Sequence, residues 1–343
     1  MLRGRWPIMV VMFGFLLGPP AKADVAAVQN FYANHQIKII IRSSPGGTYD
    51  FYSRMFAQFM GAHIPGHPTI VPINMPGAGG MTAANYVGRE APHDGTILTI
   101  IGLGLPLLQA IGGGESLHTE LKQFGWLGSV SNSNQVTVAW HTSKVLTLAE
   151  AQRQVSLTGV PGVGAPSQQL ISFYNYFLGT KFKPVYGYQT SVDINVAMER
   201  GEVDGAGSNA WEEYLISAPD QVRDKKIVPL IQTGLEKEPT LPDTPLLLDL
   251  AKTPEQQAAF RMMSESISLG RALAASPDVP PERLEALRTA FTQTISDPQF
   301  IAAVEKGRGS VRPKTAEQVE AIIQSLFDAP APVRALVKAG QAP

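Results

Sequence analysis

Short apolar runs alternate with glycine-rich turns and helical periodicity along the first two-thirds of the chain, the pattern of repeated strand–loop–helix units. Ile37 to Arg42 (IKIIIR) reads as a strand, followed by the turn Ser44-Pro45-Gly46-Gly47. Phe51, Met55, Phe56 and Phe59 then recur at helical spacing. Thr69 to Asn74 (TIVPIN) reads as a second strand, running into Pro76–Gly80 and a helix-like stretch from Thr82 to Arg89. Thr96 to Gly102 (TILTIIG) follows the Asp94-Gly95 turn as a third strand.

Phe124 to Val130 and Gln135 to Trp140 form another extended pair, and the polar link Ser131–Asn134 marks a crossing into a second lobe. That lobe opens with a strand over Val155–Gly159, the loop Pro161–Ser167 and a helix over Gln168–Leu178. Phe182–Tyr188 and Val203–Ser208 read as strands, and Val192–Arg200 as a helix ended by Gly201. A strand over Ile227–Gln232 precedes Thr233-Gly234 and a Pro-rich loop, where the chain returns to the first lobe. From Pro254 onward the pattern is mostly helical, with Pro281 in a first turn, Asp297-Pro298 opening another helix, and Thr315 as an N-cap with Gln318 three residues on.

The N-terminus breaks this pattern. Arg3 and Arg5 precede an apolar stretch from Ile8 to Leu17, Gly18-Pro19-Pro20 ends it, and Ala21-Lys22-Ala23 has the small-x-small form of a cleavage site. The stretch is far shorter than the roughly 20 residues a membrane-spanning helix needs. Residues 1–23 are therefore expected to be a signal peptide, and the protein to work in the periplasm. The lobes are expected at 24–130 plus 235–343 and at 131–234.

Composition narrows the chemistry. The 343 residues include 28 Lys+Arg, 29 Asp+Glu and no Cys, with a net charge of −1. Nucleic acid is not an expected partner, because no basic excess exists to neutralise phosphates. Without Cys there is no disulfide scaffold, thiolate metal site or Cys nucleophile. Removing residues 1–23 leaves 25 basic against 29 acidic residues, a net −4, so the overall field does not attract an anion. Recognition of an anion is then expected from local backbone N–H groups and helix ends, where the 32 glycines find a use.

Three loops share that design. Ser44–Asp50, Pro76–Met81 and Pro161–Ser167 each follow a strand and open a helix. Asp50 is suited either to cap its helix or to meet a ligand, Tyr49 to line a cleft or to pack in the core, and Ser167 to cap or to offer its hydroxyl. Gly77 to Thr82 approaches a dinucleotide fingerprint, but its sixth position is Thr82 and it follows the second strand, so no cofactor is expected. His63 and His67 have helical metal spacing, yet Pro65-Gly66 between them forbids the helix, and no metal is expected. No GxSxG, GK[ST] or HExxH motif occurs and no catalytic residue is assigned. An exported hydrolase using Ser167 or Asp50 is the enzyme alternative, and a sensor for a membrane signalling partner is another.

Taken in order, these segments resemble the solute receptors of tripartite tricarboxylate transporters, the Bug or TctC-like proteins. The matching pieces are Pro45-Gly46-Gly47…Asp50, Asn74–Gly80 with Ala84-Asn85-Tyr86, Ala91-Pro92…Asp94-Gly95, and Gly201-Glu202-Val203-Asp204. Gln232-Thr233-Gly234, Leu241-Pro242-Asp243…Pro245, Pro280–Arg283 and Asp297–Phe300 complete the set, which spans nearly all of 37–330. The resemblance implies a two-lobed α/β periplasmic binding protein fold of type II-like form. Two mixed-sheet domains would be joined by two crossing segments and close on a small organic acid, which a monomeric receptor passes to an inner-membrane transporter. It nominates Ser44, Pro45, Gly46, Gly47, Thr48, Tyr49 and Asp50 on one loop, and Gly77, Ala78, Gly79, Gly80 and Met81 on the next. From the second lobe it nominates Gly164, Ala165, Ser167, Tyr188, Gln189, Thr190, Ser191, Ser208 and Asn209. Thr48-Tyr49 depart from the family's usual Gly-Thr, and Gly164-Ala165-Pro166 from its Gly-Ser, so the ligand of a better-known relative does not transfer.

Overall fold

A computed structural model describes residues 22–162, 165–188 and 190–342. Two mixed sheets carry the chain. The first contains β1 (Ile37–Ile41), β2 (Ile70–Asn74), β3 (Ile97–Ile100), β4 (Phe124–Ser129), and two strands that arrive late in sequence. The second contains β5 (Gln135–Trp140), β6 (Ser156–Gly159), β7 (Phe182–Val185), β8 (Gly205–Ala210) and β9 (Ile227–Thr233). The late arrivals in the first sheet are β10 (Ala272–Pro277) and β11 (Lys314–Thr315), and its order is β11-β4-β10-β3-β1-β2. The second sheet runs β7-β6-β8-β5-β9.

The helices begin with α1 (Lys22–Ala33), α2 (Thr48–Phe59), α3 (Met81–Asn85), α4 (Gly104–Ala110) and α5 (Leu148–Arg153). Around the second sheet lie α6 (Pro166–Leu178), α7 (Ser191–Glu199), α8 (Trp211–Ser217) and α9 (Pro219–Arg223). The chain ends with α10 (Pro254–Ser268), α11 (Pro281–Ser296), α12 (Pro298–Lys306), α13 (Ala316–Asp328) and α14 (Ala331–Gly340).

Sheet topology decides where a ligand can go. β1 pairs in parallel with β2 and β3, and β6 in parallel with β7 and β8. In such sheets the loops leaving the carboxyl ends of the parallel strands open into a crevice. β10 runs antiparallel to both β3 and β4, with Leu273 opposite Ile100. Its first residues therefore lie at the same edge as the end of β3. In the second sheet β5 is antiparallel to β8 and β9, which brings Gln135 to the corresponding edge.

Two expectations are corrected. The helical reading beyond Pro254 missed β10, a central strand of sequence ALAASP. Its alanines favour helix intrinsically, but every residue is buried between two neighbouring strands, and packing overrides propensity. The helix expected over Thr82–Arg89 is α3 followed by a π-helical turn over Tyr86–Glu90. By contrast, Thr315 and Gln318 form the full capping box that opens α13.

Apolar packing does not stop at the sheet boundaries. One buried cluster includes Ile40, Ile101 and Trp126 near the first sheet, and Val160, Phe173 and Tyr174 near the second. Phe173 and Phe177 on α6 pack against Phe260 on α10, with ring centroids 5.6 and 5.3 Å away. α14 joins them, with Gly340 so close that an added Cβ would lie 2.6 Å from the Phe177 ring.

Polar contacts tie the two chain crossings. Asn134 donates through its backbone to Glu238 Oε1 (2.7 Å), and Arg312 reaches Glu238 Oε2 at 2.8 Å. Glu212 on α8 is 3% exposed and accepts bonds from Tyr52 on α2, Ser131 on the crossing, and both the amide and hydroxyl of Ser310. A buried carboxylate satisfied this fully fixes the relative placement of the elements it joins.

Candidate ligand-binding site

A cavity of about 660 Å³ lies between the sheets, at the edge where the β1, β2, β3, β6 and β8 chains leave. Ser44 to Tyr49, Gly77 to Met81, Ala165, Ser167, Thr190, Ser191, Ser208 and Asn209 all line it. Asp50 and Tyr188 do not. Gly164 and Gln189 lie outside the described residues.

Asp50 is occupied elsewhere. Its carboxylate accepts from Arg54 Nε (3.0 Å), Asn74 Nδ2 (2.9 Å) and the Gly46 amide (3.2 Å). Burial alone would raise its pKa, but the Arg54 and Asn74 side chains and the Gly46 N–H together lower it. Tyr188 is half-buried against the apolar cluster of the second sheet, and its pKa is raised by burial and by Glu202. Ser167 is not the helix cap: α6 starts at Pro166 with Ala165 in the N-cap position. Thr190 does cap its helix: its hydroxyl and the Asp193 carboxylate form the capping box of α7. Asp204 holds the Leu157 amide at 2.7 Å.

Two arginines that the sequence pattern did not single out line the cavity, Arg42 and Arg271. Arg42 is the residue after β1, and Arg271 the residue before β10. Their guanidinium carbons lie 4.4 and 4.5 Å from the centre of the Tyr49 ring. Arg271 is 4% exposed and donates to Thr48 Oγ1 at 2.7 Å. Its backbone is held to the crossing segment, with its N–H on Ser131 O and its carbonyl accepting from Val130 N–H. Arg42 donates to the Gly79 carbonyl at 2.5 Å. Among the described residues no carboxylate lies within ion-pair distance of either, and the Nε of each is buried without a hydrogen-bond partner.

Tyr49 is half-buried between these charges, and its hydroxyl accepts from the Leu103 amide at 3.2 Å. Burial pushes its pKa up, while Arg271, Arg42 and the Leu103 N–H pull it down, and the net effect is a phenol below its ordinary 10.0. Glycines make room for this stack. A Cβ on Gly80 would lie 2.3 Å from Arg42 Nε and one on Gly102 2.9 Å from it, whereas Gly46, Gly47 and Gly79 face open space.

The backbone donors expected to meet a ligand are partly spent. Gly46 N–H is bonded to Asp50, Thr48 N–H to Glu213 Oε2 at 3.2 Å, and Gly80 N–H to the Gly77 carbonyl. Beside the remaining backbone donors, the described lining carries two cationic side chains and one anionic one, Glu213, none of which the sequence pattern places there. Arg42 closed the first apolar run, where a basic residue reads as an ordinary strand end. Arg271 precedes a strand hidden in a helical pattern, so nothing local placed it beside Arg42.

No family model matches the chain, and no curated protein sequence matches it. Solved structures do. A TctC solute-binding protein from Polaromonas superposes with a TM-score of 0.63 at 18% identity, covering 90% of this chain and 98% of its own. The periplasmic binding protein BugD gives 0.68 at 17% identity, with 90% and 98% covered. The chain has the fold of the periplasmic solute-binding proteins. MatC from Rhodopseudomonas palustris, a structure with bound malate, shares this solute-binding fold with a TM-score of 0.66 at 18% identity over 88% of this chain and 98% of its own. The two-lobed α/β architecture is thus shown over nearly the whole length of these proteins.

Proposed function

We propose that the protein is a solute receptor of the TctC or Bug type, which captures a small organic carboxylate in the periplasm and delivers it to an inner-membrane transporter. The observation that carries this reading is the inter-sheet cavity with two guanidinium groups whose Nε atoms are buried without a partner, and with no carboxylate among the described residues paired to either. An uncompensated charge in a partly dry site is costly, and an incoming carboxylate relieves that cost through charge-assisted hydrogen bonds. The solute-binding fold supports the same reading, as does the malate of one structure that shares it. The expected lobes, 24–130 plus 235–343 and 131–234, would move about the crossings expected near 128–134 and 229–236.

A catalytic role finds little to work with: the described lining residues include no His, Lys or Asp. Ser167 lines the cavity, and no histidine among the described lining residues is there to serve as its base. Among the described residues no helix is long and apolar enough to cross a membrane, which accords with an exported receptor.

A thermal-shift panel tests the reading. It should contain mono-, di- and tricarboxylates, amino acids and aromatic acids, with sugars and metal cations as counter-classes. At least one carboxylate is expected to raise the melting temperature, since ligand at a hundredfold excess over its Kd stabilises by about 2.7 kcal/mol. Arg271→Met should abolish the rise. A response to a sugar or a cation but to no carboxylate would reject the assignment.

A further inference from the structure

Glu213 reaches across the cavity from the first turn of α8 to the first turn of α2. One carboxylate oxygen accepts from the Thr48 amide (3.2 Å) and the other from the Ser191 hydroxyl (3.1 Å). The N-cap of α2, Gly47, contributes no side-chain bond, so the protein's own carboxylate fills the place that helix would offer to an anion. Thr48 links the site's opposite charges. Its amide holds Glu213, and its hydroxyl accepts from Arg271.

We propose that Glu213 is a specificity-determining residue, and that with Arg42 and Arg271 it selects α-hydroxy or α-amino carboxylates over the same acids without the substituent. The inference rests on the carboxylate-receptor reading and deepens it. The ligand carboxylate goes to the guanidinium pair, because the Gly46 and Thr48 amides already hold Asp50 and Glu213. A carboxylate has room for about four hydrogen bonds, and that of Glu213 accepts two from the described residues. It therefore accepts a further bond from a hydroxyl or ammonium group on the ligand. Thr48 bonds both Arg271 and Glu213, so the ligand's anion and its donor lie on adjacent carbons. An acid lacking the donor leaves Glu213 with its desolvation uncompensated, which is how a polar pocket rejects an analogue missing one group.

Calorimetric titration with matched sets tests this. Suitable sets are propionate, lactate and alanine; succinate, malate and aspartate; glutarate, hydroxyglutarate and glutamate; and phenylacetate, mandelate and phenylglycine. Within whichever set binds, a substituted acid should bind about tenfold or more tightly than its unsubstituted parent. In Glu213→Ala that preference should vanish, and the parent acid should tighten because the α2 amide is released. Glu213→Gln keeps the shape and removes the charge, so it should lose an ammonium preference and retain a hydroxyl one. Melting temperature and circular dichroism establish that each variant is folded. Equal affinity for parent and substituted acids in the native protein, or a preference that survives in Glu213→Ala, overturns the inference and leaves the receptor reading intact. Failure of every acid in these sets, and of every carboxylate in the thermal-shift panel, to bind would reject the receptor reading as well.

Discussion

Tyr49 lies between two positive charges, and that placement makes its phenol a reporter on the cavity. Its pKa is lowered from 10.0 because the Arg271 and Arg42 charges and the Leu103 amide outweigh the effect of burial. A depressed acid contributes stability that is present above its unfolded value and lost as pH falls through its folded value. For ligand binding the sign is the opposite. Deprotonation places an anion between the guanidinium groups, where it competes with a carboxylate. Carboxylate affinity is therefore expected to fall as pH rises through the lowered value, in step with the appearance of tyrosinate ultraviolet absorbance. Tyr49→Phe should remove both the absorbance step and the affinity change. A native profile flat up to ordinary tyrosine ionisation would show that the phenol does not share the ligand's charges. At this scale the sequence was half legible. It marked Tyr49 as a departure from the receptor pattern, but gave no sign that the ring meets two arginines 229 positions apart.

Between residue and molecule, the loop from Pro76 to Met81 shows why glycine content alone misleads. Gly79 and Gly80 both have positive φ, 65° and 100°, so both favour glycine on backbone grounds. Their surroundings differ. A Cβ on Gly79 meets nothing within 4 Å, while one on Gly80 runs into the Arg42 guanidinium group at 2.3 Å. Gly79→Ala should cost about 1 kcal/mol from backbone strain alone. Gly80→Ala should cost more and should also weaken carboxylate binding, because Arg42 has to move. Urea unfolding and calorimetry on the two variants separate these effects, and equal losses in both quantities would contradict the argument. The sequence identified the loop through its strand–glycine–helix order, and most strands and caps were legible in the same local way. What it lacked was the long-range pairing that sets Leu273 opposite Ile100 and so brings Arg271, two residues earlier, to the end of β3, since β10 has no β-branched residue to announce it.

For the whole molecule, the issue is how far the two sheets act as separate bodies. A flytrap joined only by two crossing segments would be free to unfold in halves. Here the Phe173, Phe177 and Phe260 rings join α6 to α10, α14 packs beside them, and Glu212 ties α8 to α2 and the Ser310 loop. The buried apolar cluster also runs continuously from one sheet to the other. Cooperative unfolding in a single calorimetric transition is therefore expected. Phe173→Ala removes a fully buried ring from the shared cluster, and the cost should be about 3–5 kcal/mol. If the sheets are coupled through that cluster, the loss lowers the temperature of the one transition and the carboxylate-induced rise is displaced with it. Were Phe173 merely part of the second sheet's own core, the native protein would show two transitions. The substitution would then lower only one of them.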